Sequence, residues 1–505
     1  MLHCLILGLM IFGLTFDVEC LADETFRFHL KHEPQTVDPI QVTPGEHTYL
    51  VGNLFRGLIR YSKDELVFDL AERCRFKNPT LVHCKIKKNI KWSDNTPITA
   101  QDFVDSFRRV VEPTSKSPHS FLFFNVKNGK SIYEGKIPSK ELGLKAVTPL
   151  DLEFELTNTD YEFLEKLSNP LFVAYKPPVG GDFTKQVTSG PYKIKEWSKG
   201  KKIILEPNYN YWTGRNPRPL TEIIFVEEDS TALNLYEKGV INFLWRLTTA
   251  NIPAYKMRSD FLQLPVSRYD YIGFNLRPGS PFEKKEVRKA LAHGLNFKDF
   301  TRLFHALGPP GCPGITESML PVAGGFCNEF IPSQPPLDLK KSVKFYFSQL
   351  GGDDIKKTAE WVQEQWRSHL GLKVEIRGLE QKQYLATLKS SPPDSFRLGV
   401  ALNRPTCVAA IERFQTGHLE NYVGFSNVRF DGLVKALGER KMNYTQRKNV
   451  CAVAHNILFK EEYVGIPLGR IHFSMLMKPE IKGWRLNELN QLDLADLYID
   501  KKETK

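Results

Sequence analysis

Apolar and polar positions alternate with two different periods along this chain, and the period changes many times. Thr99-Ala100-Gln101-Asp102 reads as a helix start, the Thr99 hydroxyl capping and Asp102 standing three residues on. Phe103, Val104, Phe107, Val110 and Val111 then recur at helical spacing until Pro113 ends the element. Thr358 opens a second predicted helix, whose Trp361, Val362, Gln365 and Trp366 precede a terminal Gly371. Leu372, Val374 and Ile376 alternate as the next strand, a helix–glycine–strand unit of the α/β kind. Ser280-Pro281-Phe282-Glu283 starts a third helix through Val287, Ala290 and Leu291. Strand-like stretches cover 151–156, 201–206, 222–226 and 269–276, and Pro/Gly-rich connections cover 177–182, 308–314 and 333–336. The pattern predicts a mixed α/β chain, and 505 residues call for two or three lobes rather than one core.

The N-terminus breaks this pattern. Residues 5–16 form an apolar run too short to span a bilayer, followed by Cys20-Leu21-Ala22 and then Asp23. This reads as a signal peptide cut after Ala22, although Met1-Leu2-His3 brings no Lys or Arg to its start; a buried first strand or helix is the alternative. Asp17-Val18-Glu19 before Cys20 argues against a lipoprotein. No later stretch reaches the about 18 consecutive apolar residues of a membrane helix.

Charge changes the picture little. The chain carries 69 Lys and Arg against 58 Asp and Glu, and removing Asp17 and Glu19 raises the net charge from +11 to +13. The basic residues are spread rather than clustered, so they predict a solvated surface and no nucleic-acid partner. Aromatic residues (34 Phe, 18 Tyr, 7 Trp) show no basic–aromatic strips and are assigned to the core.

Cysteines fit an oxidising compartment. Beyond Cys4 and Cys20 six remain, none in a C-x-x-C pair, falling as sequence neighbours Cys74 and Cys84, Cys312 and Cys327, Cys407 and Cys451. Cys74 and Cys84 flank a Lys77-Asn78-Pro79-Thr80 turn and could face each other across a hairpin. Neighbour pairing is preferred; other connectivities and free buried thiols stay open.

Catalytic motifs are missing. There is no H-E-x-x-H, G-x-S-x-G or P-loop, and Gly308-Pro309-Pro310-Gly311 has too few backbone N–H groups to cradle a phosphate. His29 and His32 read as strand residues on opposite faces, a poor metal pair. No enzyme activity, metal or cofactor is expected.

Several stretches resemble the bacterial extracellular solute-binding family that includes oligopeptide- and dipeptide-binding proteins. Val37-Asp38-Pro39 is similar to its "LDP", Asn53-Leu54-Phe55-Arg56-Gly57-Leu58-Ile59 to "NLFEGL", and 91–102 to "KFSDGTPLTAED". Ser189-Gly190-Pro191-Tyr192, Asn208-Tyr209-Asn210-Tyr211-Trp212, Gly273-Phe274-Asn275, Pro281-Phe282, Val287-Arg288-Lys289-Ala290, 421–426, Asp431 and Ile466-Pro467 follow in family order. Each motif also has a plain structural reading as a turn or a helix face. The resemblance implies an α/β, two-lobed periplasmic-binding-protein clamshell of type II with an extra inserted domain. It further implies lobe I at 23–65, 189–268 and 480–505, the insertion at 66–188, lobe II at 269–479, and crossings near Arg268 and Lys482. The expected role is that of a monomeric periplasmic component of an ABC importer, closing on oligopeptides or peptide-like solutes and handing them to permease subunits.

One departure bears on the ligand. In peptide-binding relatives a "W-x-A-D-Y-x-x-P" stretch supplies the carboxylate that anchors the peptide's ammonium. Here the run is Leu398-Gly399-Val400-Ala401-Leu402-Asn403-Arg404-Pro405, so Ala401 stands at the acid's position and Leu398 at the tryptophan's. The Gly399 and Val400 backbone could still pair with an extended ligand. A buried ammonium without a partner is costly. Either another acid serves, Glu412 and Asp394 being nearest in sequence, or the ligand lacks a free amine. Arg397 and Arg404 would suit an acidic ligand such as a muropeptide fragment, or else flank an ordinary strand end. Asn403 completes this run of candidates. By position in the family fold, Thr43, Gly45 and Glu46, and Arg470 and His472, border the cleft. A same-fold protein for an oligosaccharide, metallophore or anionic conjugate is the alternative. A hydrolase would need a nucleophile–base pair, which the sequence does not display; a chaperone or sensor role also stays open.

Overall fold

The computed structural model describes residues 25–500, apart from 43–47, 63–64, 118, 171, 215, 304–329, 332–336, 338, 340–341 and 352. The expected leader, Cys312, Cys327, Thr43, Gly45, Glu46 and the 308–314 loop lie outside the described residues.

Ten strands make one mixed sheet, in the order Val374–Leu379, Val343–Ser348, Ser395–Ala401, Phe261–Phe274, Gly465–Met477, Phe243–Leu244, Thr25–Leu30, Leu220–Phe225, Lys202–Pro207 and Tyr192–Ser198. The two long strands, Phe261–Phe274 and Gly465–Met477, run antiparallel side by side in its middle. Their ends feed different cores. Leu262 and Leu264 pack on a core that includes Phe26, Phe28 and Trp245. Tyr269 and Tyr271 pack with Phe396, Leu398 and Val400, whereas Ile272 and Phe274 pack with Phe345 and Trp366. The protein is thus an α/β molecule of two lobes, and the long strands pass between them. A separate antiparallel sheet of Ala71–Asn78, Leu81–Ile86, Asp151–Glu155 and Leu144–Thr148 adjoins the first core. No helix among the described residues is long and apolar enough to cross a membrane.

Local signals held where the decisive contacts are local. The helix Ala100–Val111 buries Phe103, Val104, Phe107, Val110 and Val111, and the Asp102 carboxylate accepts from the Thr99 N–H (2.7 Å) and hydroxyl (2.9 Å). The second predicted helix starts earlier, at Asp353, and runs to Leu370. Thr358 lies inside it, its hydroxyl donating to the Asp354 carbonyl at 2.8 Å. Asp354 in the first turn suits the N-terminal end of the helix dipole better than the threonine four residues further in does. The third helix starts later, at Lys285. Ser280 instead forms a turn, accepting from the Glu283 N–H at 3.2 Å, and the Arg288 guanidinium ties down the Phe282 and Glu283 carbonyls. The Phe261–Phe274 strand extends upstream of the predicted 269–276 through Pro265, where its pairing register shifts.

The family-like motifs hold distant segments together. Asn53 donates to the Tyr49 and Leu492 carbonyls (2.6 and 2.7 Å) and accepts from the Leu494 N–H at 2.9 Å. Gly190 donates to the Leu54 carbonyl at 2.8 Å, and a Cβ there would lie 2.5 Å from the Asn53 carbonyl oxygen, so no larger residue fits. Cys74 and Cys84 are directly opposed across their hairpin and joined, as are Cys407 and Cys451. The strand carrying His29 ends at Leu30, so His32 lies beyond it rather than on its opposite face. His29 packs against Trp245, and burial lowers its pKa to about 4.

Candidate functional site

The two long strands lose register between Pro265 and Tyr269 and again between Asp270 and Tyr271. At the first break Ser267 is held from two sides. Its carbonyl accepts from the Leu402 N–H at 2.8 Å, and its N–H donates to the Glu488 carbonyl at 2.5 Å. Two cavities flank this crossing and share Arg268 and Phe473 as walls. Arg246, Asp354, Arg397 and His472 line the first, with Asp270 at its floor. Ala401, Asn403, Glu488 and Asn490 line the second, together with Asn169.

The Ser395–Ala401 strand explains this arrangement through its period of two. Phe396, Leu398 and Val400 face the hydrophobic core, so Arg397, Gly399 and Ala401 share the other face. The strand pairs with Phe261–Phe274 along its whole length but with Val343–Ser348 only from Ser395 to Arg397. Past Arg397, among the described residues, that second edge has no strand partner. An extended chain could add there through main-chain hydrogen bonds.

Asp270 organises the charge. It is fully buried, opposite Gly399, and its carboxylate accepts from the Arg397 Nη2 and from the Arg268 Nε at 3.3 Å. The Arg397 Nε is buried with no hydrogen-bond partner among the described residues. Burial holds the Arg397 guanidinium below its usual range, Asp270 opposing this and the neighbouring Arg268 charge adding to it. Gly399 leaves room for the group: a Cβ there would sit 2.4 Å from Arg268 Nη2 and 2.6 Å from Asp270 Oδ1.

Residues 65–417 match the family described as bacterial extracellular solute-binding proteins, family 5 Middle. The chain belongs to this family. It is 25% identical over 510 residues to the periplasmic murein peptide-binding protein MppA of Escherichia coli, a match covering 94% of this chain and 93% of that one. It is 26% identical over 508 residues to the periplasmic oligopeptide-binding protein OppA of Salmonella typhimurium, covering 93% and 91%. The Burkholderia pseudomallei OppA structure superposes with a TM-score of 0.79 at 21% identity, covering 95% of this chain and all of that one.

Within this family 5 protein the candidates read from sequence divide. Gly399, Ala401, Asn403 and His472 come together at the crossing: Gly399 beneath Arg268, Ala401 and Asn403 in the second cavity, His472 in the first. Val400 is on the strand but its side chain is core, 2% exposed, which leaves only its backbone on the edge. Arg470 stands opposite Tyr269 on the second long strand. Arg404 is a correction. It is fully buried and turned away from both cavities into a cluster of its own, with Nε on Glu162 at 2.9 Å and the two terminal nitrogens on Glu412 at 3.0 and 2.8 Å. The reason is the distant Glu162, which sequence order does not reveal as a neighbour. Glu412 and Asp394, the nearest acids to Ala401 in sequence, are engaged elsewhere, Glu412 with Arg404 and Asp394 accepting from the Lys344 N–H at 2.8 Å. The carboxylate that shares a cavity with Ala401 is Glu488, from the C-terminal segment. Arg268, Asp270, Arg246, Phe473 and Glu488 were missed. One signal was present: two charges two residues apart, Arg268 and Asp270, inside an otherwise uncharged strand.

Proposed function

We propose that this chain captures peptide-type solutes between its two lobes in the periplasm and delivers them to the permease of an ABC importer. The observation that carries this reading is the Ser395–Ala401 strand, unpaired on one edge past Arg397 among the described residues, whose Arg397 and Ala401 line two cavities at the point where the long strands pass between lobes. An edge of that kind recognises a main chain irrespective of its sequence, and cavities beside it accept varied side chains. The names of the relatives, a murein peptide-binding and an oligopeptide-binding protein, support the same solute class.

In this reading lobe I comprises 23–65, 189–268 and 480–505, the inserted domain 66–188 and lobe II 269–479, with residues 1–22 removed on export and the mature protein acting as a monomer. The lobes part to admit solute and close over it by hinge motion at the strand crossing. Glu488 takes the place of the acid missing at Ala401, approaching the solute from the C-terminal segment rather than from the strand itself. Native mass spectrometry of the purified mature chain tests the proposal. Adducts resolving to short peptides are expected; a ligand-free mass, together with no thermal shift from a random peptide pool, contradicts it.

A further inference from the structure

The floor of the groove holds one carboxylate between two guanidinium groups. Asp270 is fully buried and meets both Arg397 and Arg268, and among the described residues these two arginines have no second carboxylate between them. A low-dielectric site tolerates such an excess of positive charge poorly, and an anion of the right shape relieves it. We infer that Arg268 and Arg397 form a receptor for an anionic group of the solute, a carboxylate being the class that their planar forks fit. The inference rests on reading the groove as the solute site.

Four features of the site support it. The buried Arg397 Nε has no hydrogen-bond partner among the described residues, and Arg397 lines the first cavity. Arg268 is half-buried, bonds Asp270 through Nε, lines both cavities, and has its Nη2 over Gly399. Arg268 also stands directly opposite Ala401, which puts a cation beside the position where peptide-binding relatives carry an acid. Gly399, next on the same face, has no side chain to cover the pair. The other charged groups flank this centre: Arg246, His472 and Asp354 line the first cavity, and Glu488 lines the second. Asp354 accepts from the Thr249 hydroxyl at 2.6 Å, and Glu488 lies 3.4 Å from the Ser267 hydroxyl. The depressed proton affinity of Arg397 agrees with an under-neutralised site. Guanidinium forks bind carboxylates through two parallel hydrogen bonds, which lysine does not reproduce.

The test uses the full mature chain and two probes. Short peptides are titrated as free acids and as C-terminal amides, and glutarate is compared with chloride at matched ionic strength by thermal shift. Wild type is expected to bind acid forms at least tenfold more tightly than amides and to be stabilised by glutarate. Arg268→Gln removes both preferences, Arg268→Lys restores only part, and Gly399→Ala weakens acid binding with Arg268 intact. Equal binding of acids and amides, with no Arg268-dependent glutarate shift, overturns the inference while peptide capture stands. If no peptide binds in either form but glutarate stabilises wild type and not Arg268→Gln, the anion receptor stands and the peptide reading fails.

Discussion

Arg397 lies within the Ser395–Ala401 strand and Arg404 just past its end, and the two enter opposite electrostatic surroundings. Arg404 meets Glu162 and Glu412, and Arg447 joins from the far side of Glu162, giving two guanidinium groups for two carboxylates. The Thr406 hydroxyl adds a bond to Glu162 at 2.9 Å, and the Tyr161 N–H donates to the Gly438 carbonyl at 2.8 Å, so the cluster ties 160–169 to 403–447. Its two carboxylates hold Arg404 well above the usual guanidinium range despite complete burial, and Arg404 holds Glu412 below the carboxylate range against the same penalty. At Arg397 the ratio is two arginines to one carboxylate, and burial prevails over Asp270. On the proposed reading the balanced cluster has no capacity left for a solute and the unbalanced one does. Arginine content in the sequence is the same at both positions, and only the count of facing acids separates a structural site from a receptive one.

Removing one member of each cluster separates them most sharply. Arg404→Met takes the guanidinium partner from Glu412 and leaves Glu162 with Arg447 alone, and is expected to cost about 3–5 kcal/mol, read by denaturant unfolding, without changing the preference between acid and amide peptides. Gly399→Val is expected to weaken acidic solutes by about tenfold, near 1.4 kcal/mol, with a smaller stability change, because the colliding atoms belong to the Arg268 and Asp270 side chains and not to the backbone. Glu165, beside the balanced cluster, has its pKa raised to about 7 by burial and by the Glu162 charge. An acid with a raised folded-state pKa binds more protons folded than unfolded between about 4.5 and 7, so stability falls as pH rises through that window. Glu165→Gln should flatten that slope and leave the variant more stable than wild type at pH 8 by about 1 kcal/mol, as thermal melts at several pH values will show. Arg268→Gln, which leaves a one-to-one Asp270–Arg397 pair, is expected to shift stability by no more than about 0.5 kcal/mol.

What could be read from sequence follows the range of the interactions involved. The Ala100–Val111 helix was legible because its cap, apolar face and stop all lie within a few turns. The Asp353 and Lys285 helix starts were misplaced because a hydroxyl at Thr358 or Ser280 mimics a cap that a neighbouring acid or a neighbouring arginine then overrides. The Ser395–Ala401 strand came to notice only through the family-like run at 398–405, and the alternation that puts Arg397, Gly399 and Ala401 on one face went unread. The fate of Arg404 depends on Glu162, and the carboxylate beside Ala401 is Glu488, both brought in by the fold from far along the chain. No local pattern encodes either. Proximity in sequence pointed instead to Glu412 and Asp394, which the fold engages elsewhere.

On the proposed reading, charge balance rather than arginine itself marks the solute site. This is tested most directly by calorimetric titration of acid and amide peptides into wild type, Arg268→Gln and Arg404→Met, each held well below its melting temperature. The account predicts that Arg268→Gln loses the preference for acids and that Arg404→Met keeps it. Retention of that preference in Arg268→Gln with its loss in Arg404→Met would contradict the assignment of the two clusters.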